Sequence, residues 1–190
     1  KAQLSELKVK APVSNYNCGK SYRNAIARNN MDFVSANAYH AHPSNFMQKG
    51  SKIDQTSSVE KGGGIFREFA GMRLNGRPMV ITEHGHVFWN KYRFEQAFVT
   101  GAYAAFQGFD VLTMHAQPIT VVDAQSIYPF TGFYDPVAVA EEMLTFYLFR
   151  RADVSTAANS VRIVIPLADI FKLNLYNDGL NQWQSQLALV

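Results

Sequence analysis

The sequence contains a single cysteine, Cys18, among its 190 residues. One cysteine excludes an internal disulfide and leaves the redox compartment undetermined. An excess of one charge is also lacking, since 18 Lys and Arg oppose 15 Asp and Glu, and the basic residues are scattered along the chain. This balance gives no reason to expect nucleic acid or an anionic membrane as a partner.

Long apolar runs are absent as well. No stretch approaches the roughly 20 apolar residues of a membrane span, and the first ten residues, KAQLSELKVK, lack the apolar core of a signal peptide. We therefore expect no membrane partner. A leader preceding Lys1 in a longer parent would not be visible, so secretion or a periplasmic location of that parent stays open. The composition, 47% hydrophobic and 17% charged, is that of an ordinary globular protein.

Short apolar runs alternate with longer amphipathic stretches, as in βα units laid end to end. The sequence predicts a polar loop over 42–61 and a helix that begins with Asp135 as N-cap and Pro136 in its first turn. The predicted strands are 11–17, 31–40, 77–85 and 108–118. The predicted helices are 21–29, 62–76, 91–108 and 135–154.

Four strand-helix repeats in about 150 residues correspond to half of an eightfold barrel. The predicted fold is therefore α/β, a partial (β/α)₈ TIM barrel comprising about strands five to eight with their helices. Residues 1–155 form this half barrel, and 156–190 begin a C-terminal extension in which 160–171 alternates like a strand. The abrupt start and end of the repeat suggest truncation at both ends. Because a half barrel exposes strand edges, we expect it to associate with a missing N-terminal half or with itself.

All five histidines follow predicted strands: His40 and His42 the second, His84 and His86 the third, and His115 the fourth. The carboxyl ends of parallel strands share one rim, where active sites of α/β folds are built. The alternative is that these imidazoles only satisfy backbone groups at the strand ends.

Glu83 is the only acidic residue in RPMVITEHGH, a segment that otherwise indicates a buried strand. Strand alternation predicts that Met79, Ile81 and Glu83 share one face. Burying a carboxylate in a strand costs free energy unless the carboxylate is paired or hydrogen-bonded, and a functional role is a common reason for a protein to keep one there. The alternative is a structural salt bridge to a nearby Arg or Lys.

Alternation brings further polar side chains to the same rim. Asn37 and Tyr39 end the second strand, and a tyrosine hydroxyl can orient a nucleophilic carboxylate by donating a hydrogen bond. His115 and Gln117 share a face of the fourth strand, and Trp89 in the loop after Glu83 can stack on a sugar. The predicted substrate-binding residues are Asn37, Tyr39, His40, His84, Trp89, His115 and Gln117.

The segments DFVSANAYHAHP, RPMVITEHGHVFWNKYRFEQAFVTGAYAAFQGFDVL and FYDPVAVAEEMLTFYLFRRADV resemble the last strands of the clan A glycoside hydrolases, which are retaining (β/α)₈ enzymes. The resemblance covers about residues 11–155. It implies that Glu83, in ITEHG, is the catalytic nucleophile that ends strand seven, and that no cofactor or metal is needed. Asn37 to Tyr39 is similar to a His-x-Tyr pair with Asn replacing His, and His115 stands where the clan often has Trp.

The clan's acid/base residue lies in an Asn-Glu pair, and this sequence has no Asn-Glu. The resemblance thus implies that this chain is a fragment that cleaves no poly- or oligosaccharide by itself. Two other functions fit the sequence. The first is a metal-dependent, amidohydrolase-like hydrolase, in which the two His-x-His pairs and His115 with Asp110 or Asp123 would bind zinc. The second is a non-catalytic carbohydrate-binding relic of a barrel.

Overall fold

Three parallel strands in the order β1-β2-β3 form the sheet, and helices follow each strand. The computed structural model describes residues 2–15, 17, 22–46, 48–115, 129–130 and 134–170. Its α-helices and strands are α1 (Ala2–Glu6), α2 (Tyr22–Asn29), β1 (Val34–His40), α3 (Gly64–Met72), β2 (Met79–His86), α4 (Tyr103–Gln107), β3 (Val111–Met114), α5 (Pro136–Thr145) and α6 (Leu167–Ile170). The predicted α/β class is confirmed, but the described residues form a small open sheet and not a closed barrel.

The apolar core lies between the sheet and the helix layer. Val34 and Ala36 of β1 pair with Met79 and Ile81 of β2, and all four side chains are fully buried. From the other side, α3 contributes Ile65, Phe69 and Met72 at helical spacing. Burying each large side chain stabilises the fold by about 1.5–3 kcal/mol, so this layer fixes the orientation of β1 and β2.

The second helical layer follows β2 and β3. A π-helical segment, Ala97–Ala102, runs directly into α4, which ends at Gly108 in the left-handed conformation (φ 62°). Asp135 caps α5 by accepting a hydrogen bond from Val137 N at 3.1 Å, as the Asp-Pro sequence predicts. The buried Glu141 of α5 accepts a hydrogen bond from Ala97 N, which ties the two helices together.

The prediction of a strand over 11–17 was wrong for the residues of this range that the structure describes. Asp32 N donates to Val13 O and Asn37 N donates to Asn17 O, but no continuous ladder connects these two points. Side chains take its place: Ser14 Oγ donates to Phe33 O at 2.9 Å, and Ser35 Oγ donates to Asn15 O at 3.1 Å. Serine hydroxyls thus occupy carbonyls that strand pairing would use.

The predicted strand over 160–171 was also wrong for its described part. Residues 161–166 have no regular structure, and α6 begins immediately after Pro166, which lacks the N–H that a strand ladder needs. Val164 is largely exposed, because no strand among the described residues pairs with this segment. In the described part of the chain, none of the helices has the length and apolar character needed to cross a membrane.

Candidate functional site

A β-bulge in β2 determines where Glu83 points. Ala36 pairs with Ile81, but the next residue of β1, Asn37, pairs with Glu83, so Thr82 is an extra residue in β2. The ladder with β3 shows the same shift, between Ile81 and His84. A bulge of this kind reverses the alternation of side chains that follow it, and bulges are frequent beside active sites.

The prediction that Glu83 shares a face with Met79 and Ile81 was therefore wrong. Met79 and Ile81 point into the helix-facing core, whereas Glu83 lies on the opposite face with its partner Asn37. We call this opposite side of the sheet the open face. It carries Ser35, Asn37 and Tyr39 of β1, Glu83 of β2, and His115 immediately after β3.

The half-buried Glu83 carboxylate accepts a hydrogen bond from the Tyr39 hydroxyl through Oε2. Asn37 accepts one from Thr82 Oγ1 at 2.5 Å, which holds the bulge against β1. No Arg or Lys makes a salt bridge to Glu83 among the pairs of described residues. The structure thus joins Tyr39 and Glu83 directly and places Asn37 beside them.

Aromatic rings surround Tyr39 at this end of the sheet. Its ring centroid lies 5.9 Å from that of His115, 6.0 Å from that of His42 and 5.3 Å from that of Phe130, each in an edge-on arrangement. Ala41, at φ 63°, reverses the chain after β1 and brings His42 back over Tyr39. The predicted neighbours Tyr39 and His115 are therefore brought together, and His42 and Phe130 join them.

Three histidines do not reach the open face. His84 pairs with Ala38 and His86 pairs with His40, so the bulge directs their side chains to the helix layer. His84 is 1% exposed, and burial lowers its pKa to about 3. Burial also lowers the pKa of His86 to about 3, aided by His40 and opposed by Glu95. All five histidines lie at or near the carboxyl ends of the strands, as predicted, but the side chains of His40, His84 and His86 point away from the open face that carries Glu83.

Glu95 fixes the long loop that precedes α3. Its carboxylate accepts hydrogen bonds from Ser57 Oγ at 2.6 Å, Ser58 Oγ at 2.8 Å, Ser58 N at 2.9 Å and Val59 N at 3.3 Å. Ser58 Oγ also contacts His86 Nε2 at 2.8 Å, and because Ser58 donates to the carboxylate, the imidazole is the donor to Ser58. This chain of contacts anchors the loop to the end of β2.

The remaining two predicted substrate-binding residues are Trp89 and Gln117. Trp89, joined to Phe88 by a cis peptide bond, packs its ring on Phe88 with centroids 5.1 Å apart and is half exposed. Gln117 lies outside the described residues. Sequence reasoning missed Thr82 and Glu95, since a bulge leaves no pattern in one sequence and Glu95 resembles any polar residue of an amphipathic helix.

The described residues do not assemble the alternative zinc site. Asp110 hydrogen-bonds with Met79 N at 2.8 Å at the start of β3, whereas His115 follows its other end. Asp123 lies outside the described residues. The ring nitrogens His40 Nε2 and His86 Nε2 are engaged by Thr56 O and Ser58 Oγ. In the described part of the chain, no group of three His, Cys, Asp or Glu side chains converges as metal ligands would.

Comparison with known proteins identifies no relative of this chain. No family model matches it, and no curated protein or solved structure is significantly similar to it. The resemblance to clan A glycoside hydrolases consequently depends on the sequence segments quoted above. What the geometry adds is the Tyr39–Glu83 contact at the carboxyl end of a parallel sheet.

Proposed function

We propose that this chain carries the nucleophile of a retaining glycoside hydrolase and that the nucleophile is Glu83. The observation that carries the proposal is the position of this carboxylate, which lies near the carboxyl end of a parallel strand, on the open face, and is held by the Tyr39 hydroxyl. Carboxylates of retaining glycosidases attack the anomeric carbon of a sugar and form a covalent glycosyl-enzyme.

The parallel sheet supports a barrel origin for the fold. Helices α3, α4 and α5 follow β1, β2 and β3 in turn, as in successive βα units. We propose that these units are a section of a (β/α)₈ barrel whose interior is the open face. In such barrels catalytic groups lie at the carboxyl ends of the strands, where Glu83 and Tyr39 lie.

The hydrogen bond from Tyr39 gives the two carboxylate oxygens of Glu83 different roles. Tyr39 holds Oε2, which leaves Oε1 as the oxygen that attacks. Attack forms the bond between Oε1 and the anomeric carbon and breaks the glycosidic bond, while a general acid protonates the departing oxygen. The conjugate base of that acid then takes a proton from water, which attacks the same carbon and breaks its bond to Oε1 of Glu83. Tyr39 acts by holding the carboxylate in one rotamer throughout both steps.

A second carboxyl group about 5–5.5 Å from the nucleophile is required for cleavage of ordinary glycosides. Among the described residues, the buried acids Asp135 and Glu141 are engaged by Arg93 and by Ala97 N, and the partly buried Glu95 is engaged by the loop. We therefore propose that the acid/base residue lies outside the described residues. Even without a general acid, the chain would react with substrates whose leaving group needs no protonation.

The reaction of activated glycosides with this chain in the presence of azide tests the proposal. A 2,4-dinitrophenyl β-glycoside releases its phenolate without a general acid, and azide replaces water without a general base. The unmodified chain should form a β-glycosyl azide, because two displacements retain the configuration. The Glu83→Ala variant should form the α-glycosyl azide by one direct displacement, at a rate that depends on azide.

A Glu60→Gln variant, altered at an exposed acid of the loop, serves as the matched control and should give the β-azide. Dinitrophenyl glucosides, galactosides, mannosides and xylosides would be tested in parallel. The proposal fails if Glu83→Ala yields the same β-azide at the same rate as the unmodified chain. It also fails if none of the four glycosides is turned over.

A further inference from the structure

Phe46 presents an aromatic ring to solvent beside the Glu83 site. The residue is 56% exposed, and its ring centroid lies 5.6 Å from that of Phe130 and 6.0 Å from that of His42, each tilted by 31°. Phe130 in turn lies 5.3 Å from the Tyr39 ring. The rings of Phe46, His42 and Phe130, which we call the aromatic platform, therefore extend from Tyr39 to the surface.

The platform is held in place by the loop around it. Ser44 N donates to Lys52 O and Lys52 N donates to Ser44 Oγ, which closes the turn that carries Phe46. Phe46 itself has φ 47°, a left-handed conformation that residues with side chains seldom adopt. Such backbone is found preferentially at ligand-binding and catalytic sites, and here it holds an apolar ring out of the core.

Exposure by itself does not distinguish Phe46, because Phe94 and Phe98 are exposed to a similar extent. What distinguishes it is the series of ring contacts that runs from Phe46 through Phe130 to Tyr39. This continuity with Tyr39 points to a ligand that reaches Glu83 and also offers an apolar surface. A pyranose ring fits both conditions, because the axial C–H groups of a β-gluco-type sugar form an apolar face that stacks on aromatic rings.

We infer that the aromatic platform is a sugar-binding subsite for the pyranose unit next to the one that Glu83 attacks. This inference rests on the proposed function and specifies its substrate as an oligo- or polysaccharide of pyranoses with an apolar face. Phe46 makes the contact with the sugar, and Phe130 and His42 support Phe46 from behind. The subsite contributes to binding, while Glu83 and Tyr39 act on the bond that is cleaved.

Saturation-transfer NMR tests the subsite without requiring turnover. The Glu83→Gln variant would be mixed separately with cellopentaose, xylopentaose, mannopentaose and a β-1,4-galactopentaose, and the aromatic protons of the protein would be saturated. At least one pentasaccharide should bind, with the strongest transfer to the protons on one face of a sugar ring. Adding Phe46→Ala should weaken binding about tenfold and abolish this pattern.

Two further variants make the result specific. Phe46→Tyr keeps an aromatic ring and should retain both the affinity and the transfer pattern. Phe98→Ala removes a ring of similar exposure, 59%, from the helix layer and should change neither. Unchanged affinity in the Phe46→Ala variant would overturn the inference, as would failure of all four pentasaccharides to bind. The two proposals can fail separately. If the azide products depend on Glu83 but Phe46→Ala leaves pentasaccharide affinity unchanged, the subsite is excluded and the proposed function stands.

Discussion

Replacing Glu95 by alanine should release the loop that carries Phe46 while leaving the sheet in place. The carboxylate of Glu95 is the shared acceptor for the hydroxyls of Ser57 and Ser58 and for the backbone N–H groups of Ser58 and Val59. Ser57 and Ser58 are buried. Removing their acceptor leaves polar groups without a partner where water has little access.

The size of the effect follows from those groups. A buried donor without an acceptor costs about 1–3 kcal/mol, and some of the four can regain water once the loop moves. We expect Glu95→Ala to lower the free energy of unfolding by about 3–5 kcal/mol. Glu95→Gln retains one carbonyl oxygen and should cost about 1–2 kcal/mol, which makes it the graded control.

The pH dependence supplies a second measure. Burial alone would raise the pKa of Glu95, but the hydrogen bonds from Ser57 and Ser58 outweigh burial and lower it below its ordinary value of 4.5. Because this pKa is lower in the folded state than in the unfolded chain, the ionised Glu95 carboxylate stabilises the fold above pH 4.5. This contribution is lost as the pH falls through the folded-state pKa. The Glu95→Gln variant should lack this loss.

Urea denaturation and amide hydrogen exchange would measure both effects. In Glu95→Ala, the amides of Ser58 and Val59 should exchange much faster, while those of Ile81 and Leu112 in the sheet should change only with global stability. The reasoning would be refuted if the urea midpoint stayed the same and the amides of Ser58 and Val59 kept their protection.

Three other substitutions should have distinct effects. Tyr39→Phe removes the hydrogen bond to Glu83 and should lower the rate of azide product formation by about 10- to 100-fold, with little change in urea midpoint; an unchanged rate would contradict the positioning role. The pKa of His84 is lowered to about 3, so protonation of the unfolded chain reduces stability as pH falls from 6.5 towards 3. His84→Met should therefore reduce the slope of urea midpoint against pH between pH 6.5 and 3. The same slope in the variant and in the unmodified chain would count against burial of His84 in its neutral form. Asp135→Ala leaves Arg93 without its buried partner and should lower the free energy of unfolding, measured by calorimetry, by about 3–5 kcal/mol. Asp135→Asn can still cap α5 and should lower it by less. Equal losses in the two variants would argue against a stabilising ion pair.

The regular elements of the fold could be predicted because local patterns determine them. Apolar residues at helical spacing give α3, Asp135 followed by Pro136 starts α5, and Gly108 ends α4. Each of these signals depends on neighbours within about one turn of chain. The bounds differ by a few residues, as with α3, which ends at Met72 and not at Gly76.

The errors arose where a distant partner decides the structure. The strand predicted over 11–17 does not form among its described residues, because the hydroxyls of Ser14 and Ser35 take up carbonyls that a ladder needs. Residues 160–171 alternate like a strand, yet no described strand pairs with 161–166. Alternation shows that a segment can be a strand, whereas pairing requires an edge that one sequence does not reveal.

The sequence predicted which residues meet at the site, but it did not predict on which face of the sheet they lie. Glu83 and Tyr39 were expected to meet at the strand ends, and the structure joins them. The face was predicted incorrectly, because Thr82 adds a residue that reverses the alternation after Ile81 and sends His84 into the helix layer. Only the pairing of β2 with its neighbours exposes such a bulge.

Trapping the covalent intermediate tests the central claim most directly. A 2-deoxy-2-fluoroglycosyl fluoride would react with the nucleophile and leave a stable ester, and trypsin would then release residues 74–91, in which Glu83 is the only acidic side chain because cleavage is blocked between Arg77 and Pro78. We predict that the mass of this peptide increases by one fluoroglycosyl group and that the Glu83→Gln variant stays unlabelled. A label on any other peptide, or equal labelling of the Glu83→Gln variant, would contradict the assignment of Glu83 as the nucleophile.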